Sequence, residues 1–233
     1  MGDMSIRNLQ RALLGAFLVI LAGFVVDGAM AQTRTGDYFV FRGIGGYSLV
    51  DDVTETSGGS LQIRNDTDIV GGTALVVGYD WAKKGPPIRT ELEYHHRFRM
   101  DFDTRVNGGT AAGFENQLRT DVVSANIFYD FTPLGRFKPY IGAGMGWARN
   151  TSEVDRVPLA GTAKEEREDA KDNFSWSVMA GVMFRMSEAW QFEVGYRYID
   201  LGEVESGPFQ DSTVMTADSY VSHDLILGWV YRF

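Results

Sequence analysis

Residues 221–233 read Val221-Ser222-His223-Asp224-Leu225-Ile226-Leu227-Gly228-Trp229-Val230-Tyr231-Arg232-Phe233, and this stretch decides how the rest of the chain is read. Val221, His223, Leu225, Leu227, Trp229, Tyr231 and Phe233 share one parity. Ser222, Asp224, Ile226, Gly228, Val230 and Arg232 share the other. Successive side chains of a strand point to opposite faces, so the stretch is a strand between two environments. One is wide and apolar; the other takes smaller, more polar groups.

Moving outward, seven more segments carry the same period of two. Residues 38–49 group Phe39, Phe41 and Tyr47 opposite Arg42. Residues 69–81 group Leu75, Val77, Tyr79 and Trp81 opposite Gly72, Ala74, Gly78 and Asp80. In residues 88–100, Ile88, Leu92, Tyr94, Phe98 and Met100 alternate with Arg89, Glu91, Glu93, His95, Arg97 and Arg99. Residues 118–131 set Val123, Ala125, Ile127, Tyr129 and Phe131 against Ser124, Asn126 and Asp130. Residues 137–148 set Phe137, Ile141, Met145 and Trp147 against Tyr140, Gly142, Gly144 and Gly146. Residues 174–186 set Phe174, Trp176, Val178, Val182 and Phe184 against Ser175, Ser177, Gly181 and Arg185. Residues 190–200 set Trp190, Phe192, Val194, Tyr196 and Tyr198 against Gln191, Glu193, Gly195 and Arg197.

Eight strands of about 11–14 residues follow, against about 5–6 in soluble sheets and the ~9–11 that cross a bilayer at a tilt. The connections alternate in length. Those at 82–87, 132–136 and 187–189 are short; those at 50–68, 101–117, 150–173 and 201–220 are long. The expected fold is all-β: an eight-stranded antiparallel up-and-down barrel with both termini and the short turns at one end. In a bacterial outer membrane that end faces the periplasm and the four long loops face outward.

Two placements of the parities compete. A secreted, lipocalin-like barrel puts the apolar set inside; a membrane barrel inverts this. The inversion is favoured because glycines at 142, 144, 146, 181 and 195 oppose the aromatics, and eight strands enclose a bore that side chains fill. Aromatics also gather toward strand ends as at bilayer interfaces, and mid-strand charges facing lipid would cost about 2–4 kcal/mol for Arg or Lys. The expected lipid-facing aromatics are Tyr79, Trp81, Tyr129, Trp147, Trp176, Trp190, Tyr196, Tyr198, Trp229 and Tyr231. The expected lumen network is Arg42, Arg89, Glu91, Glu93, His95, Arg97, Arg185, Glu193, Arg197, Asp224 and Arg232. Both signs occur, so it can pair itself. A closed polar core is the favoured form and a narrow conduit the alternative.

The N-terminus reads as an export signal over residues 1–31: Arg7 and Arg11, an apolar run from Ala12 to Val26, then Ala29-Met30-Ala31 before a mature start at Gln32. A retained anchor helix is the other reading. The barrel is expected over 32–233, with no further domain after it. The chain has no Cys, which excludes a Cys-linked lipid anchor, a disulfide scaffold and a thiolate metal site. A formal charge of −9 with no basic stripe argues against a nucleic-acid partner.

No catalytic residue, cofactor or metal ligand is assigned. His95 shares the lumen parity with Glu93 and Arg97 and reads as a network member. His96 and His223 fall on the apolar parity. A lipid-modifying enzyme would need a Ser or carboxylate poised on His223; Ser222 and Asp224 point to the opposite face, while Ser212 and Ser219 lie in a loop that can approach it. The long loops hold about 20 Asp and Glu against roughly 6 Lys and Arg. Asp51, Asp52, Asp66, Asp68, Glu203 and Glu205 show no calcium-loop spacing. The run Lys164–Asp172 reads as a solvated loop, with cation bridging to lipopolysaccharide or partner binding as the alternative. Tandem glycines at 58–59, 71–72 and 108–109 read as turns or crowded strand positions.

The chain resembles the opacity-type, OmpA-like small outer-membrane β-barrels of Gram-negative bacteria over residues 37–233. The resemblance is carried by Pro139-Tyr140-Ile141-Gly142-Ala143-Gly144-Met145-Gly146, by Gly195-Tyr196-Arg197-Tyr198-Ile199-Asp200-Leu201-Gly202, and by Leu227-Gly228-Trp229-Val230-Tyr231-Arg232-Phe233. It implies that terminal Phe233 is the signal read by the barrel-assembly machinery. It implies residence among outer-membrane lipid and lipopolysaccharide, and a surface antigen or adhesin whose loops meet a host or surface ligand. A narrow channel for small solutes is the alternative function, and a lipid-modifying barrel enzyme a remote one.

Overall fold

In the computed structural model, the described residues are 36–55, 61–64, 67–106, 113–157, 165–206 and 214–233. The expected signal segment 1–31, Asp66, Ser212 and the glycine pairs at 58–59 and 108–109 lie outside them. The strands are β1 (Asp37–Glu55), β2 (Leu61–Arg64), β3 (Thr67–Asp80), β4 (Ile88–Val106), β5 (Gly113–Asp130), β6 (Phe137–Val157), β7 (Glu165–Arg185), β8 (Trp190–Asp200), β9 (Val204–Ser206) and β10 (Met215–Arg232).

Eight of these form the wall in the order β1-β3-β4-β5-β6-β7-β8-β10, every neighbour antiparallel, and β1 pairs with β10 to close it. The closing seam runs from Tyr38 opposite Arg232 to Glu55 opposite Met215. Closure removes the unpaired strand edges that lipid could not hydrogen-bond. The short β2 and β9 pair with β4 and β10 beyond that wall. The turn end is compact. Asp80 caps a single 3₁₀ turn at Trp81–Lys84 by accepting from the Ala82 N–H. Leu134 and Phe137 exchange backbone hydrogen bonds around Gly135, whose φ of 67° a residue with a side chain rarely adopts.

The strands run further than the alternation predicts. β6 and β7 have 21 residues each, roughly 70 Å of chain at ~3.3 Å per residue. Tilted by ~40°, that stands roughly 50 Å tall against a ~25 Å apolar band. Much of the stretches expected as loops, 50–68, 101–117, 150–173 and 201–220, is therefore strand rising beyond the band. The reason is visible inside. At the loop end Val50, Val70, Met100, Leu118, Val122, Ala148, Ile199, Leu201, Val204, Ala217 and Tyr220 pack into one buried apolar cluster within the barrel. There the wall meets water, so the apolar side turns inward as in a soluble barrel.

One expected side-chain placement is corrected at this transition. The β4–β5 register shifts between Arg97 and Met100, a bulge that resets parity. Met100 is fully buried and Arg99 lies outside on Glu153 at 3.0 Å, the reverse of the uninterrupted alternation.

Candidate functional site

Below the apolar cluster, the lumen holds a column of paired charges that begins where Arg97 points inward. Its Nη1 donates to both oxygens of Asp224 at 2.9 Å, and its Nη2 donates to Ser48 and Ser222 at 2.8 and 2.7 Å. Asp224 also accepts from Arg197 Nη2 at 3.0 Å. Arg197 continues downward through Nη1 to Glu93 at 2.7 Å.

Arg42 is the hub. Its guanidinium spreads over Glu93, Glu91 and Glu193 at 2.5, 2.8 and 2.8 Å. Tyr38 and Tyr140 complete these carboxylates, donating to Glu91 and Glu193 at 2.7 Å each. Arg89 then joins Glu91 at 3.0 Å to Asp130 at 2.8 Å. Lys138 links Asp130 at 2.6 Å to Asp80 at 3.7 Å, and Arg232 meets Asp80 at 2.7 Å. The column thus balances six cations (Arg42, Arg89, Arg97, Lys138, Arg197, Arg232) against six carboxylates (Asp80, Glu91, Glu93, Asp130, Glu193, Asp224). Pairing of this completeness is what burial of ions requires, since an unpaired buried ion costs several kcal/mol.

Ten of the eleven residues expected in the network meet in this column. His95 joins through its Nδ1, 3.0 Å from Arg197 Nη2. Arg185 stands apart, exposed at the turn-end mouth. Asp80, Asp130 and Lys138 belong to the column and were not singled out. Their lumen parity was readable, but they sit at strand ends, where the alternation gives least leverage. Tyr38, Phe128 and Tyr140 are buried aromatics within the bore, and glycine makes the room for them. A Cβ on Gly142 would overlap the Phe128 ring, and one on Gly181 would lie 2.5 Å from the Tyr140 hydroxyl.

The outer surface is aromatic at both levels. Toward the turn end Trp190 packs on Tyr231 with centroids 4.9 Å apart, Phe192 on Trp229 at 5.2 Å and Tyr129 on Phe131 at 5.2 Å. Tyr79 packs on Trp81 at 4.7 Å, although Trp81 sits on the 3₁₀ turn rather than on the strand. Toward the loop end Trp176 packs on Tyr198 at 5.5 Å, and Trp147 and Tyr196 are exposed. The indole N–H groups of Trp147 and Trp176 reach Asp172 and Asp200 at 3.3 and 3.2 Å. Such amphipathic rings suit a boundary that is apolar on one side and wet on the other. Trp176, Trp229 and Leu227 all face outward, as the membrane inversion demands.

His96 pairs with Asp121 at 2.8 Å on the outside, where Tyr94 donates to the same carboxylate at 2.7 Å. His223 lies 2.6 Å from the Tyr196 hydroxyl and edge-on to Tyr198, a pairing with phenols rather than with a Ser or carboxylate. In the stems, Lys171 clips Glu205 and Glu203 at 2.5 and 3.3 Å. These neighbours hold its ammonium above the ordinary lysine range.

Residues 16–233 match the family described as outer membrane protein beta-barrel domain. The chain is 27% identical over 239 residues to outer membrane protein PagN of Salmonella typhimurium, across 93% of this chain and 98% of PagN. Many solved structures share the fold, among them two similar over most of this chain. Neisserial surface protein A has a TM-score of 0.50 at 16% identity, covering 85% of this chain and 99% of that one. A major outer membrane protein from Thermus thermophilus has a TM-score of 0.53 at 11% identity, covering 84% and 99%.

Proposed function

Because the chain belongs to the outer membrane protein beta-barrel family and is an integral protein of the bacterial outer membrane, we propose that it acts at the cell surface through its loop end, as a surface antigen or adhesin. The observation that carries this is the height of the wall. Strands of up to 21 residues lift the loops clear of the apolar band on rigid stems, and binding residues concentrate on loops held by a rigid scaffold. The loops then meet a host or surface ligand, and their acidity favours a cationic partner or one bridged by divalent cations.

The rest of the reading follows from this orientation. Residues 1–31 act as the export signal and 32–233 form the barrel. The aromatic exterior sits among lipid and lipopolysaccharide, and Phe233 is presented to the barrel-assembly machinery. The work is non-catalytic, consistent with His223 engaging tyrosines. The channel alternative is the weaker reading, because the apolar cluster and the ionic column both fill the bore.

The test is exchange of residues 158–164 and 207–213 for short Gly-Ser linkers. Folding of the exchanged barrel with loss of adhesion to cultured cells supports the proposal. Undiminished adhesion by that barrel overturns it.

A further inference from the structure

The turn end carries a cavity of about 610 Å³, and its lining is charged differently from the rest of the chain. Four cationic side chains (Arg136, Lys138, Arg185, Arg232) meet only Asp80 and Glu188 there, in a protein of net charge −9. Lys138 and Arg232 are neutralised by Asp80 and Asp130. Arg136 and Arg185 have no carboxylate partner among the described residues, unlike the six cations of the column.

These two arginines are held side by side. The Arg136 carbonyl accepts from the Arg185 N–H at 2.9 Å, and the Gly135 turn fixes where Arg136 leaves the wall. Two like charges at adjacent strand ends repel, and an anion between them relieves that repulsion. One further donor on the lining, Arg232 Nε, is buried without a hydrogen-bond partner. Above the mouth the bore is shut by Arg89 packed on Phe128 and Tyr140, so a bound group would stay at this end.

We propose that this mouth is a binding site for an oxyanion, a phosphate or carboxylate group seated between the Arg136 and Arg185 guanidiniums and reaching Arg232 Nε. Planar guanidinium forks match the two oxygens of such groups bidentately. In the orientation proposed above the site opens to the periplasm. It is independent of any loop ligand, so the two proposals stand or fall separately.

The test is NMR titration of the folded full-length barrel in zwitterionic micelles, following the amides of Gly135, Arg185, Met186 and Gln191. The probes are inorganic pyrophosphate and citrate, with sodium chloride at matched ionic strength as the control. Saturable shifts confined to these amides, weakened about tenfold or more in R136Q/R185Q as loss of charge-assisted hydrogen bonds requires, are expected. R136K/R185K keeps the charge but lacks the fork, and is expected to recover only part of the affinity. The stronger probe tells a phosphate-type ligand from a carboxylate-type one. Circular dichroism verifies that each variant is folded. No saturable shift, shifts that follow ionic strength alone, or full affinity in R136Q/R185Q overturns the site.

Discussion

Arg97 on β4 grips Asp224 on β10 across the bore, one guanidinium nitrogen donating to both carboxylate oxygens at 2.9 Å. The strands they join are separated in the wall by β1 and β3. The pair is therefore a strut through the interior, which backbone pairing along the wall does not supply.

Removing one end of that strut leaves the other ion buried. Asp224→Ala leaves Arg97 buried without a carboxylate and takes one of two from Arg197, with an expected loss of about 3–5 kcal/mol of folding stability. Urea unfolding in detergent measures it. R97M/D224L takes out the Arg97–Asp224 pair together and should recover part of the loss, leaving Arg197 its bond to Glu93. A single variant as stable as the parent would show that the column contributes little.

Glycine at 142 is there for the Phe128 ring. Gly142→Val forces the ring from its place at a cost of about 1–3 kcal/mol. Combined with Phe128→Ala, the same change should cost less than the two single losses added. A double-mutant cycle in the same unfolding assay reads that coupling.

A bore sealed twice should not conduct. Planar bilayers containing the folded protein are expected to show no discrete openings. M100A/L118A should behave alike, because the ionic column below remains intact. Regular steps from the parent protein would revive the channel reading.

The Lys171 clip has a defined pH range. Its ammonium is held above the ordinary lysine value near ~10.4. The contact is thus fully present below that value and is lost only as pH rises past the elevated one. NMR titration of the Lys171 side chain should place its midpoint above that of free lysine. At neutral pH, Lys171→Met should speed amide exchange at Val204–Ser206, and high salt should do the same to the parent.

The wall was legible because a period of two is written into every strand, and a face inverted toward lipid leaves glycines opposite aromatics. Arg42, Glu93, Glu193 and Arg197 were readable as lumen residues from parity alone. What parity cannot carry is a bulge: nothing in Arg97-Phe98-Arg99-Met100 marks where the count resets, so Arg99 and Met100 exchange places. The apolar cluster was hidden for another reason. Val70, Leu118 and Ile199 share the lumen parity at the loop-side ends of expected strands, but Val50, Leu201, Val204, Ala217 and Tyr220, which complete the cluster, lie in stretches that read as loop. Lys138 and Asp130 pair only because β5 and β6 end together, which takes the three-dimensional register to see.

The crossover at Arg97–Met100 also works as a gauge for assembly. Along β4 the inward side chains change from ionic to hydrocarbon within one step, and β10 changes between Asp224 and Tyr220. A hairpin slipped by two residues would keep every side chain on its proper face yet set methyl groups beside carboxylates. Polarity along the axis therefore penalises the slips that inside–outside alternation tolerates, and it helps select one stagger of the staves.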